Sequence, residues 1–227
     1  SYMNINIHFC TPCYGGQISE SCFQSYSKWT VFGMQNKLAF QIDTLSNESN
    51  INRGRNSCAA KFLMGNGSHL MFVDADIGWL PEDVVKLVTH DVDVACGVYP
   101  QKIIPPKYVV NIKKDGERRG DLVEADSAGT GFMLIKRQVF EKLIEAGATK
   151  YHDDIGLGDE TNFQYDFFNC TVDETGQYLT EDYSFCRSVK HAGLKVWVDK
   201  SIDLQHTGIW HFNGDYALLS KIYINII

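Results

Sequence analysis

The chain has 227 residues, 44% apolar and 22% charged, which is enough for one large α/β domain with a well-buried core and ordinary for a soluble globular protein. A net charge of −7 excludes a general affinity for nucleic acid or for anionic membrane, both of which need a basic surface, and leaves room only for a basic pocket holding one small anion. No apolar run approaches the roughly 20 residues of a membrane span, and residues 1–10 include Asn4, Asn6 and His8, which is not the pattern of a signal peptide.

Asn4 to Cys10 alternates as a first strand and runs into the loop Thr11-Pro-Cys-Tyr-Gly-Gly16, which is neither a dinucleotide fingerprint nor a P-loop. Ser19 is placed to cap a helix over about 20–34, where Cys22, Tyr26, Trp29, Phe32 and Gly33 fall near helical spacing. Lys37 to Leu45 reads as a second strand with Asp43 near its carboxyl end, and Ser46 to Asn52 as a polar loop. Arg53-Gly-Arg-Asn56 opens a second helix. Arginines there oppose the helix dipole, and an anion between them would resolve the conflict, against the plainer alternative of a solvated basic turn.

The centre of the chain is His69-Leu-Met-Phe-Val-Asp-Ala-Asp-Ile-Gly-Trp79. His69 to Val73 is a short buried strand. Pro81, Glu82 and Asp83 suit the first turn of the helix that follows, the proline because its missing N–H is no loss there and the acids because they face the positive helix end. Asp74 and Asp76 are thereby placed at the carboxyl end of a strand, where open α/β sheets bind ligands. The two are expected to do different jobs, one holding a divalent metal and the other a hydroxyl. Hard oxygen donors of this kind suit Mg²⁺ or Mn²⁺. Asp-x-Asp also suits a plain turn before a helix; the apolar strand directly before it favours the metal.

Asp91 to Cys96 is a further strand, Pro100, Pro105 and Pro106 mark an irregular segment, and Lys107–Lys113 with Leu122–Ala125 form an antiparallel excursion about the turn signal Asp115-Gly116. Ala128-Gly-Thr-Gly131 leads into the apolar strand Phe132–Ile135, its glycines fitting a close approach to a ligand or another strand. A helix runs from Lys136-Arg137 to about Ala146. Residues 147–177 are long, aromatic and acidic, with little periodicity, as functional lids are. Thr180 caps a helix with Glu181 and Asp182 in its first turn, Lys195–Val198 is a strand, and Asp203-Leu-Gln-His-Thr-Gly208 closes the pattern. The seven cysteines, odd in number and scattered, read as buried free thiols of a reducing compartment; Cys10-x-x-Cys13 lacks the partners of a zinc site. With no repeat or linker, one α/β domain is expected over 1–227, mostly parallel and flanked by helices, its nucleotide-binding part about 1–100 and its acceptor part about 101–227.

Phe72-Val-Asp-Ala-Asp76, Ala128–Arg137, Thr180-Glu-Asp182 and His206-Thr-Gly208, in that order, together resemble a GT-A glycosyltransferase, in particular compact viral and bacterial members like family 2. The resemblance implies the GT-A fold, a nucleotide-diphosphate sugar donor (UDP-sugar first, GDP-sugar second), Mn²⁺ or Mg²⁺, and transfer of a hexosyl or deoxyhexosyl unit to a hydroxyl of a glycan. Residue by residue, it implies that Thr11, Pro12 and Tyr14 line the nucleoside, Asp43 meets the base, and Arg53 stands near base and diphosphate. Asp74 contacts the ribose and shares the metal site, Asp76 and His206 ligate the metal, and Asp182 is the general base of an inverting reaction with Glu181 its rival. The loop Thr11–Gly16 and the 149–177 insert depart from the family pattern. That insert, with its aromatics and Gly156 and Gly158, is expected to close over the donor and form part of the acceptor site.

Three other readings compete. A haloacid-dehalogenase-type phosphatase also places Asp-x-Asp after an apolar strand, but on the first strand. A sugar-phosphate nucleotidyltransferase shares strand order and metal use, but carries a glycine-rich basic loop that Thr11–Gly16 lacks. A non-catalytic sugar-binding module would suit the aromatic insert but leaves the acidic set without a purpose. A cytoplasmic location goes with the free thiols and the absent leader.

Overall fold

In the computed structural model, residues 4–46, 48–153, 162–208 and 211–218 are described. The first half alternates as expected: β1 (Asn6–Cys13), α1 (Glu20–Gln35), β2 (Ala39–Ser46), α2 (Ile51–Met64), β3 (His69–Val73), the short β4 (Ile77–Gly78), α3 (Pro81–Thr89) and β5 (Val94–Val98). Ser19 caps α1 by accepting from the Cys22 amide, and Pro81 opens α3, where Asp83 accepts the Leu80 amide at 2.8 Å. Then come β6 (Val110–Ile112), β7 (Arg118–Arg119), β8 (Leu122–Ala128), β9 (Phe132–Lys136), α4 (Arg137–Glu145), β10 (Thr171–Val172), β11 (Tyr178–Leu179), α5 (Glu181–His191), β12 (Val196–Asp203), β13 (Gln205–Thr207) and β14 (His211–Asn213).

The large sheet runs β2-β1-β3-β9-β5-β12-β8-β6, with β7 beside β8. β2, β1 and β3 are parallel, and so are β5 and β12; β9 lies between the two groups and is antiparallel to both its neighbours. The sheet is therefore mostly parallel in strand direction, with the expected antiparallel excursion at β6–β8. The antiparallel β9 has a consequence for the site: its first residue, Phe132, pairs with Val73, the last residue of β3, so Gly131 just before it stands beside Asp74. Strand alternation divides the core into two layers. Leu70, Phe72, Met133 and Ile135 face the layer that holds Phe62, Phe140, Phe168 and Phe185. Met71, Val73, Phe132 and Leu134 face the other, built on Phe9, Trp29 and Trp79.

Three expectations are corrected. Cys10 and Cys58 form a disulfide, tying β1 to α2, while Cys13, Cys22, Cys96, Cys170 and Cys186 are free. The reading of seven free thiols, and its support for a cytoplasmic location, thus loses two of them. The second helix starts at Ile51, not at Arg53, because Asn50 caps it through the amides of Asn52 and Arg53. The described aromatics of the insert include core residues: Phe167 and Phe168 are buried, and Phe168 stacks on Phe185 at 4.5 Å. Asn56 pins this stretch to α2, accepting the Phe168 amide and donating to Asp166. The lid expected at Gly156 and Gly158 lies outside the described residues.

Candidate active site

The strand β3 ends at Val73, and residues 74–76 form a turn held by three other segments. The Asp74 amide donates to the Gly131 carbonyl at 2.9 Å, the Ser19 amide to Ala75 at 2.8 Å, and the Thr207 amide to Asp76 at 2.8 Å. A cleft of about 420 Å³ opens beside this turn, lined by Pro12, Tyr14, Ile51, Asp74, Asp76 and Thr207 among others. The two carboxylates take different partners.

Asp74 accepts from Arg55 Nη2 at 2.8 Å, and Glu181 Oε1 lies 3.6 Å from Arg55 Nε. The Arg55 side chain is 3% exposed. Burial works against its charge, but Asp74 and Glu181 outweigh burial and raise its pKa. For Glu181 burial dominates: it pushes the carboxyl above its ordinary range despite Arg55. The anion expected between two arginines is thus supplied by the chain itself, for Arg53 pairs with Glu48 at 2.6 Å on the outer side of α2. Two positions apart on a helix lie about 200° round its axis, so only one of the two arginines can face the site. The signal was present in the sequence. Arg55 shares a helical face with Cys58, Ala59 and Phe62, all buried.

Asp76 meets a histidine distant in sequence. The ladder of β13 on β4 sets His206 opposite Ile77, and its Nε2 lies 3.2 Å from Asp76 Oδ2. The other ring nitrogen, Nδ1, is 2.7 Å from the Pro100 carbonyl. A carbonyl only accepts, so Nδ1 carries a hydrogen; Nε2 donates to Asp76 when it too carries a proton, and in the Nδ1–H tautomer it offers a lone pair on that side, as a metal ligand does. Lys102 Nζ stands 2.5 Å from the same Asp76 oxygen. Burial opposes ionisation of Asp76, yet the hydrogen bonds from His206 and Lys102 together hold its carboxyl below the usual range. A carboxylate and an imidazole nitrogen together fit Mn²⁺ or Mg²⁺. Among the described residues no group of three His, Cys, Asp or Glu side chains is gathered for an ion. Asp76 and His206 are the pair of side chains that would hold such an ion.

The glycines before β9 are explained by close approach. A Cβ on Gly131 would lie 2.7 Å from the Tyr99 hydroxyl and 2.9 Å from Asp74 Oδ2. The Gly131 amide donates to that hydroxyl at 3.1 Å. Asp182, in the first turn of α5, accepts at Oδ1 from Thr180 Oγ1 at 2.5 Å and from the Tyr183 amide at 2.9 Å. Two of the sequence-derived nucleoside contacts lie elsewhere. Thr11 is fully buried, its hydroxyl hydrogen-bonded to Tyr26 at 2.5 Å, and Asp43 pairs with His8 at 2.6 Å and is not among the residues lining the cleft. Pro12 and the exposed Tyr14 do line it.

No protein-family model and no curated protein sequence matches the chain. Among solved structures it is similar to A197 from STIV, at a TM-score of 0.54 and 20% identity, over 90% of this chain and 86% of that one. It is also similar to the catalytic domain of Drosophila β1,4-galactosyltransferase 7 in complex with xylobiose, at a TM-score of 0.45 and 16% identity, over 87% of this chain and 66% of that one. A third is GalNAc-T7 with UDP, GalNAc and Mn²⁺, at a TM-score of 0.48 and 10% identity, over 89% and 43%. The likeness is one of fold alone, a mostly parallel sheet flanked by helices. No helix among the described residues is long and apolar enough to cross a membrane.

Proposed function

We propose that the chain is a metal-dependent glycosyltransferase that moves a sugar from a nucleotide-diphosphate sugar, UDP-sugar before GDP-sugar, to a hydroxyl of a glycan, with inversion. The observation that carries this reading is the meeting of Asp76 and His206 across 130 positions of sequence, beside the cleft lined by Pro12, Tyr14 and Asp74. A protein needing only a turn after β3 has no use for a histidine held by its Nδ1 opposite the second aspartate.

In this reading the base lies along Pro12 and Tyr14, with the Tyr14 ring free to stack. Asp74, steadied by Arg55, accepts from a ribose hydroxyl. Asp76 and His206 hold the ion, which when bound stabilises the negative charge that develops on the departing diphosphate. Asp182 takes the proton of the acceptor hydroxyl as its oxygen forms a bond to the anomeric carbon and the bond from that carbon to the diphosphate breaks. Glu181, turned to Arg55, serves better to position than to accept that proton. Asp43 and Arg53 stand one layer out, paired with His8 and Glu48, and would act on the donor only after leaving those partners.

Calorimetric titration with UDP, GDP and CDP, each with and without Mn²⁺, tests the reading. UDP should bind tightest and gain most from the metal. Tighter binding of CDP, which lacks the uracil N3–H, would overturn the donor assignment. A nucleotidyltransferase would bind nucleoside triphosphate in preference to any diphosphate.

A further inference from the structure

Lys102 has no part in that scheme, yet it occupies its central carboxylate. Its Nζ lies 2.5 Å from Asp76 Oδ2, the same oxygen that His206 Nε2 approaches at 3.2 Å. Oδ2 is the Asp76 oxygen turned to His206, so an ion held by both side chains through it would meet the ammonium there. Ion and ammonium are both cations, so each weakens the hold of that oxygen on the other.

The segment that carries Lys102 is built to let go. It leaves the sheet after Tyr99 and returns at Tyr108, and its roots are fastened. Pro100 and Tyr108 form a bridge, the Val109 amide donates to Tyr99, and the Pro100 carbonyl accepts from His206. Between the roots the strap is exposed, Ile104 at its tip by 82%. Moving the tip buries and unburies little, so the cost is small. The Lys102–Asp76 pair is itself more than a third exposed on the lysine side, and pairs of that kind shift an equilibrium by no more than about fivefold. Because the contact to His206 comes from the root, the strap can release Asp76 without disturbing the histidine.

We propose that Lys102 is a tethered counter-cation for Asp76, which a divalent ion displaces on binding, so that lysine and metal compete for one carboxylate oxygen. The proposal rests on the reading of Asp76 and His206 as metal ligands. The test is Mn²⁺ binding to the full chain, read by the electron paramagnetic resonance of free Mn²⁺, for wild type, Lys102→Met and Lys107→Met, with and without UDP. Lys107 is an exposed cation on the same strap with no contact to Asp76, so it reports the general field alone. The expected result is a dissociation constant lowered about fivefold in Lys102→Met and nearly unchanged in Lys107→Met. Equal shifts in the two variants, or none in Lys102→Met, would overturn the competition while leaving the metal site intact. Absence of Mn²⁺ binding in every chain, with UDP present or not, would overturn both.

Discussion

Arg55 and Asp74 meet at 2.8 Å beneath the turn that ends β3, with the guanidinium sealed from solvent and Glu181 3.6 Å from its Nε. One cation thereby joins the acid that follows β3 to the first acid of α5. The pair is expected to matter for stability as well as for binding.

Removing one partner of a buried ion pair leaves the other charge uncompensated and costs about 3–5 kcal/mol. Asp74 is 28% exposed, which places Arg55→Met near the lower end, about 3 kcal/mol in urea denaturation. The triple variant Arg55→Met, Asp74→Asn, Glu181→Gln should recover most of that loss, since replacing all partners leaves no buried charge. A single-variant loss below about 1 kcal/mol would show that the network is solvated.

His69 makes the fold acid-sensitive. Burial lowers its pKa to about 4 from 6.5. The folded state therefore prefers the neutral ring. The stability it contributes is present above pH 6.5 and is lost as pH falls from there toward 4, by about 3 kcal/mol in all. His69→Gln should flatten that portion of the stability profile relative to wild type, as followed by denaturation at stepped pH. An unchanged slope between pH 6.5 and 4 would assign the acid lability to other groups.

Asp182→Asn should lower turnover by about 10²–10⁴-fold while donor affinity is nearly kept. Glu181→Gln should cost less, because its carboxyl is turned to Arg55. NMR of the product should show the anomeric configuration opposite to the donor's. Near-normal turnover by Asp182→Asn together with a dead Glu181→Gln would transfer the role of base to Glu181.

What the sequence disclosed was local. Ser19 and Pro81 announce their helix starts through local chemistry a few residues long, Thr180 stands at the N-cap of α5 with its hydroxyl given to Asp182 instead of to a backbone amide, and His69–Val73 announces a buried strand by its unbroken apolar run. Asp74, Asp76 and His206 were legible as candidates through motif order, and the structure brings Asp76 and His206 together. The insertion of β9 between β3 and β5 was not legible, because a strand's apolar pattern says nothing about which neighbour it pairs with. The aromatics of the 149–177 insert read as part of an acceptor site because aromatics look alike in a loop and in a core until Phe72 and Phe185 are set beside Phe168. Arg55 was passed over for Arg53, since the choice between them depends on which face of α2 meets Asp74. Lys102 carried no motif, and only the path of its strap places it on Asp76.

The most direct measurement is Mn²⁺-dependent binding of UDP to wild type, Asp76→Ala and His206→Ala, by calorimetry at one pH and ionic strength. Wild type should bind UDP more tightly with Mn²⁺ than without, and each variant should lose that gain while keeping its fold by circular dichroism. Full Mn²⁺ dependence in Asp76→Ala and His206→Ala would contradict the assignment of this pair as the metal site.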